Sequence, residues 1–240
     1  MHIVVCVKQT PVAGDMRLDE ETKTLVREDV TLSISSLDRR AVLEALRFRD
    51  EVGGTVTILT MGPPQARAVL LETLGLGADK GILLTDASLA GSDTLATARA
   101  LSASIKKLNA DLVMCGKFTI DSETSQVPSE VAEMLGIPQV TSVRTIKDTE
   151  QDGIIWVDRE TDEGYEQYEV PTPALLSVTE LVITFRRSSE EDLEGAKGKP
   201  IEEWSVADIG IDPSTVGVAG SPTRVAELRS AQLERSGDRH

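Results

Sequence analysis

Aromatic residues make up only 3% of the 240-residue chain. A core with so few rings must be built from Val, Leu, Ile and Ala, the composition of a buried parallel sheet whose strands read as aliphatic runs. Cysteine is equally scarce. Cys6 and Cys115 each lie within an aliphatic run, which points to buried free thiols and gives no basis for a disulfide or metal framework. The two histidines, His2 and His240, stand at opposite ends, so no Ser-His-Asp, Cys-His or zinc constellation can be assembled. Positive charge is in deficit, with 25 Lys and Arg against 40 Asp and Glu and a net charge of -15. Such a surface repels nucleic-acid backbones and anionic membranes, which excludes both as primary partners. No apolar run reaches membrane-spanning length and no secretory signal precedes the first strand-like run, so a cytoplasmic location without membrane insertion is expected. The phosphate loop G-x-x-x-x-G-K-[ST] and the dinucleotide fingerprint G-x-G-x-x-G are both missing, which leaves nucleotide cleavage without visible machinery.

Aliphatic runs and helical periods alternate along the first part of the chain. Ile3–Val7, Thr55–Thr60, Lys80–Thr85 and Asp111–Gly116 read as buried strands. Between them, Leu37–Arg49, the stretch through Leu70, Leu71 and Leu74, and Asp93–Leu108 carry apolar residues at helical spacing, and Thr124–Leu135 continues the pattern. Ser35 or Ser36 is placed to cap the first helix. The alternation predicts an α/β fold with a doubly wound parallel sheet and right-handed crossovers. The polar stretch Gly14–Asp29 suits a hairpin or loop. After about residue 145 the texture changes. Ile154–Val157 and Tyr165–Val170 flank an acidic turn and suggest a β-hairpin, and Ala174–Val178 and Leu181–Phe185 suggest further strands. We therefore expect a nucleotide-binding α/β domain over residues 1–185 and an extended C-terminal arm with a partner-docking segment over 186–240. Residues 186–225 keep apolar residues without a regular period, as a segment lying on another surface would, or one packed on its own domain.

Doubly wound sheets bind ligands beyond the carboxyl ends of their strands. That rule selects Cys6–Thr10, Met61-Gly62, Thr85–Leu95 and Gly116–Val127. The last is richest. Gly116 offers close approach for a ligand, Lys117 follows, and Asp121, Ser122, Thr124, Ser125, Gln126 and Val127 lead into a helix whose first amides could hold a phosphate. Asp, Ser and Thr before a helix are more often simple caps, so spacing alone leaves both readings open. Asp93, Thr94 and Thr97 form a similar cluster at the start of another helix.

The stretch Gly116-Lys117-Phe118-Thr119-Ile120-Asp121-Ser122-Glu123-Thr124-Ser125-Gln126-Val127 resembles the signature of the β subunit of electron-transfer flavoproteins. Val4–Gln9, Thr60–Ala66, Leu76–Lys80, Asp93–Thr97 and Trp204–Gly210 extend the resemblance in order along nearly the whole chain. It implies an adenine nucleotide α-hydrolase-like fold and a heterodimer with an α subunit that carries an electron-transferring flavin. It also implies FAD in the β subunit of electron-bifurcating members, near where NADH delivers a hydride, or AMP in simple members. Thr124–Val127, Glu130, Leu135–Thr141 and Asp93–Thr97 look more like the bifurcating or nitrogen-fixation-associated group. By this resemblance the backbone around Cys6, Val7 and Lys8 faces the adenine, Ser35 can bond the ribose or adenine, Asp38 is a further cofactor-binding position, and Met61 lies near the nucleotide. Asp121 through Val127 hold phosphates, and Asp93, Thr94 and Thr97 lie along an FAD. No side chain needs to act as a catalytic acid or base.

The chain departs from the family pattern where Asn-Pro-Phe is usual and Ser35-Ser36-Leu37 stand. It departs again at Thr119, and in the docking loop, where Ile183-Thr184-Phe185-Arg186-Arg187 replace Asn-Glu-Pro-Arg-Tyr. That loop recognises acyl-CoA dehydrogenases in relatives. Here Ser188–Gly195 is acidic, which implies a dehydrogenase-like or other redox partner met through Arg186 and Leu193.

Overall fold

The computed structural model describes residues 1–12, 17–18, 25–26, 32–148, 153–179 and 186–226. The aliphatic run at the N-terminus forms β1 (His2–Cys6), followed by the short β2 (Gln9–Pro11). Within the polar stretch, β3 (Arg17–Leu18) pairs antiparallel with β4 (Leu25–Val26), and β2 pairs antiparallel with β5 (Leu32–Ile34). Alternation then runs α1 (Ser36–Val52), β6 (Thr55–Met61), α2 (Arg67–Leu76), β7 (Lys80–Leu84), α3 (Thr94–Leu108), β8 (Leu112–Gly116) and α4 (Val127–Leu135). Glycine or asparagine at positive φ ends each of these four helices, as at Gly53, Gly77, Asn109 and Gly136.

Beyond α4 come β9 (Gln139–Asp148), β10 (Ile154–Thr161), β11 (Gly164–Pro171) and β12 (Ala174–Val178). The expected hairpin is β10–β11, but it continues the main sheet through β9, a strand the sequence did not reveal. Leu181–Phe185 lies outside the described residues. The C-terminal segment carries α5 (Glu190–Ala196), β13 (Ile201–Trp204) and the short α6 (Gly217–Gly220). It packs on its own sheet, the second of the two alternatives. β13 pairs parallel with β7, and Ala196, Trp204, Val206 and Val216 are buried.

One nine-stranded sheet results, in the order β11-β10-β9-β12-β8-β1-β6-β7-β13. Every pairing from β9 to β13 across the sheet is parallel, and only β9–β10 and β10–β11 are antiparallel. Alternate strand residues feed two cores. Ile3, Val5, Leu112 and Met114 pack with Val42, Phe48, Leu70 and Leu74 of α1 and α2. Val4, Leu59 and Val113 pack with Leu101, Ile105 and Val131 of α3 and α4 on the other face. The sheet is thus doubly wound, and its direction of winding reverses between β1 and β8. β1 leads through α1 toward β6, whereas β8 lies on the opposite side and leads into α4. The crevice at such a reversal is the expected ligand position.

Candidate functional site

At the reversal point, Asp38 in the first turn of α1 reaches into the sheet. Its carboxylate accepts hydrogen bonds from the Lys8 N–H (2.9 Å) just past β1 and from the Gly116 N–H (2.8 Å) at the end of β8. Asp38 is 4% exposed, so both strand ends are tied to α1 from inside. Burial pushes its carboxyl up to about 7, against the opposing pull of the Lys8 and Gly116 N–H bonds, the Lys8 charge and the Ser35 hydroxyl. Ser35 occupies the position before α1 but makes no side-chain cap bond. Its hydroxyl is buried, and its N–H donates to the Lys8 carbonyl (3.0 Å). The expected cap at Ser35 is therefore corrected.

Two expectations about ligand access change here. A Cβ at Gly116 would meet the Asp38 carboxylate at 2.6 Å, the Asp38 nitrogen at 2.8 Å and Leu37 Cβ at 2.8 Å. The missing side chain therefore makes room for the start of α1, where we had expected it to admit a ligand. The Lys8 N–H faces Asp38, and the N–H of buried Val7 donates to the Leu59 carbonyl (2.9 Å), so neither donor is open to an adenine. Cys6 and Cys115 are register partners on β1 and β8, partly buried and free. Burial, followed by the Asp38 charge, pushes the Cys6 thiol up to about 12, and burial raises Cys115 well above the ordinary thiol value. Both therefore stay protonated near neutrality. Met61 ends β6 at the same edge and packs against the α3–α4 core.

Above this junction the Lys8 side chain turns outward. Its Nζ bridges both Asp121 oxygens (2.9 and 2.7 Å) and approaches Thr119 Oγ1 (3.4 Å). Thr119 also donates to Asp121 (2.7 Å) and contacts Ser122 (3.1 Å), while its carbonyl accepts from the Ser122 and Glu123 N–H groups. Partial burial acts against the charged form of Asp121, but the bonds from Lys8 and Thr119 prevail and hold its carboxyl below the usual range. Lys117 is anchored through its N–H to the Val178 carbonyl (2.8 Å). These bonds hang the loop after β8 over the end of β1.

The helix expected from Thr124 begins three residues later, at Val127. A helix starting at Thr124 would need an N–H at residue 128 to reach the Thr124 carbonyl. Pro128 has none and its ring would clash there, whereas proline is well suited to a first turn. The freed residues take other conformations. Glu123 and Ser125 have positive φ (48° and 55°), and Gln126 follows at φ -89°, ψ -40°. A left-handed residue followed by a right-handed one turns successive N–H groups toward one point, the geometry of an anion-binding nest. The N–H groups of Thr124, Ser125, Gln126 and Val127 have no hydrogen-bond partner among the described residues, and Ser122 through Gln126 are exposed. Open donors at the amino end of α4, where the helix dipole is positive, are chemically suited to an anion. The Asp121 carboxylate, paired with Lys8, sits beside them and is not itself an anion donor.

The second cluster is built differently. The Asp93 carboxylate caps α3 through the Ala96 N–H (3.0 Å) and also accepts from the Thr223 N–H (3.0 Å) and hydroxyl (2.7 Å). Its own N–H donates to Ser221 (2.8 Å). Asp93 is therefore engaged within the protein. Thr94 and the half-buried Thr97 remain at the same sheet edge. Thr94 Oγ1 reaches Glu130 (3.1 Å) and Gln126 (3.3 Å), which joins the two clusters. Ser221 and Thr223 were not foreseen; no local spacing marks them, because their partner Asp93 lies more than a hundred residues away.

Arg186 and Leu193 are not brought to this edge. Arg186 pairs with Asp192 (3.1 Å) beside α5, Leu193 is 36% exposed on α5, and α5 packs on α2. Among the described residues no His/Cys/Asp/Glu group could hold a metal, and no helix is long and apolar enough to cross a membrane.

The electron transfer flavoprotein domain model matches residues 22–209. The chain belongs to the electron transfer flavoprotein family. It is 42% identical over 239 residues to the electron transfer flavoprotein subunit beta of Clostridium acetobutylicum, covering 99% of this chain and 91% of that protein. It is 39% identical over 240 residues to the caffeyl-CoA reductase-Etf complex subunit CarD of Acetobacterium woodii, again covering 99% and 91%. It is 39% identical over 245 residues to protein FixA of Azorhizobium caulinodans, covering 98% of this chain and 87% of that protein. These likenesses place the chain among the β subunits of the family. The sheet and its reversal point fit that membership.

Proposed function

We propose that this chain is the β subunit of a heterodimeric electron carrier that holds an adenine nucleotide at the end of β8. The open N–H groups of Thr124, Ser125, Gln126 and Val127 carry this reading. They fit a phosphate of the nucleotide, and Lys117, Met61 and the strand ends around Cys6 and Lys8 border the space beside it. In this role the chain binds and orients, and the α subunit's flavin passes electrons to a dehydrogenase-like acceptor. FAD is the favoured nucleotide, because Thr94 and Thr97 stand at the same edge and Thr94 touches Gln126. A bound FAD would supply hydride acceptance from NADH and the division of its two electrons between separate routes. Both FAD and AMP contain adenosine and a phosphate, so the cradle alone serves either.

The test is to purify the complex with its α subunit, release the nucleotides and count them by mass. Two FAD per heterodimer, reduced rapidly by NADH, is the expected result. One FAD with one AMP would replace the bifurcating reading by that of a simple carrier, and no nucleotide on the β chain would remove the binding role altogether.

A further inference from the structure

Asp38 is a buried carboxylate outside the proposed nucleotide cradle, yet two of the segments that hold the cradle's loop are tied to it. Its two oxygens divide between two chain segments, with Oδ2 on the Lys8 N–H and Oδ1 on the Gly116 N–H. The first segment sends the Lys8 side chain to Asp121 and Thr119, which shape the turn at residues 119–123. The second segment begins the same loop, at Gly116 and Lys117. The loop that presents Thr124–Val127 is thus held at its root by one oxygen of Asp38 and above its root by a residue that the other oxygen fixes. The fit is close, since a single Cβ at Gly116 would collide with Asp38 Oδ1.

From this we infer that Asp38 is a positioning residue for the phosphate cradle, acting through Lys8 and Gly116 without contacting the nucleotide. The inference rests on the phosphate reading above and adds a cause for the loop's shape. A carboxylate suits the task because it offers acceptors in two directions, and a buried N–H left without one costs much of its desolvation energy. Asparagine keeps one acceptor and turns a donor toward the other N–H. Alanine removes both. The Lys8–Asp121 pair is partly exposed and would be weak alone, so its geometry depends on the backbone beneath it.

The experiment compares the full-length wild type with Asp38→Ala, Asp38→Asn and Leu74→Ala. Leu74 is 1% exposed in α2, away from the cradle, and its truncation controls for general loss of stability. AMP is the probe, followed by calorimetry, and hydrogen exchange is read at the bonded amides of Lys117, Ser122 and Glu123. Asp38→Ala should weaken AMP binding about tenfold, a change of roughly 1.4 kcal/mol, and speed exchange at those three amides. Asp38→Asn should fall between, and Leu74→Ala should leave both readouts at wild-type values. If Asp38→Ala does not fold, Asp38→Asn carries the comparison. Lys8→Met added to Asp38→Ala should cost less than the sum of the two, because both act on one loop. Wild-type AMP affinity and exchange in a folded Asp38 variant would overturn the inference. If the wild type itself does not bind AMP, the phosphate reading fails, and exchange decides alone: faster exchange in Asp38→Ala upholds the positioning role and unchanged exchange overturns it.

Discussion

Ser92–Thr97 and Gly116–Val127 look alike as sequence, each a cluster of Asp, Ser and Thr at the start of a helix beyond a strand. The structure separates them. In the first, the acidic side chain is engaged by the helix it caps, through Ala96, and by Thr223 of the C-terminal segment, while the Asp93 N–H donates to Ser221. In the second, the side chains bind one another, Lys8 or Thr94, and four successive backbone N–H groups have no partner among the described residues. Polar residues before a helix thus do two kinds of work, stitching a fold and leaving donors for a ligand. Which of the two applies depends on whether a proline and left-handed residues detach the loop from the helix.

Substitutions break this comparison at different depths. Gly116→Ala should be the most damaging, because its Cβ has no room against Asp38 and Leu37. A loss of ~3 kcal/mol in urea unfolding is expected from overpacking. Asp93→Ala should lose a helix cap and the anchor of the C-terminal segment. A cost of about 1–2 kcal/mol is expected, seen in the same unfolding experiment, with AMP affinity changed less than about twofold. Ser125→Val should do the reverse. A β-branched residue resists φ of 55°, so AMP affinity should fall about tenfold while the exposed loop costs stability less than ~1 kcal/mol. Ser125→Gly, which tolerates that backbone, should keep wild-type affinity.

Acid dependence sharpens the contrast between buried and open carboxylates. The Asp38 carboxyl sits at about 7 in the fold against an ordinary value of 3.8. The folded state therefore holds its proton more tightly than the unfolded chain. By linkage, the Asp38 contribution to stability is greatest at low pH, declines as pH rises from about 4 to about 7, and is constant above. Asp121 and Asp93 are lowered and act in the opposite sense, losing stability as pH falls through the carboxylate range. The difference between wild type and Asp38→Asn, measured by denaturant unfolding from pH 5 to 8, should show wild type losing relative stability toward pH 7. The smallest effect concerns Cys6 and Cys115. Their raised thiol values mean that alkylation of the native chain at pH 8 should lag well behind that of the unfolded chain.

The parallel half of the fold was legible because its strands are unbroken aliphatic runs and its helices keep a clear apolar face. β9 was hidden, since Ser142, Arg144 and Lys147 interrupt its apolar residues and much of it is half-exposed. β13 was hidden too, with Glu202 and Glu203 exposed between Ile201 and Trp204 on an edge strand. At the site, the sheet-edge rule and the resemblance pointed to segments that the fold gathers at the reversal point. They could not show that Pro128 moves the start of α4, because Thr124 and Ser125 have the composition of ordinary caps. Nor could they show the inward direction of Asp38 or the pairing of Lys8 with Asp121, 113 residues apart, since local spacing carries no record of long-range contacts.

AMP titration of Ser125→Val beside Asp93→Ala tests the central claim most directly. If the cradle is the backbone of Thr124–Val127, the first variant loses about tenfold in affinity and the second stays close to wild type. Loss of binding in Asp93→Ala with full affinity in Ser125→Val would contradict the account and move the site to the start of α3.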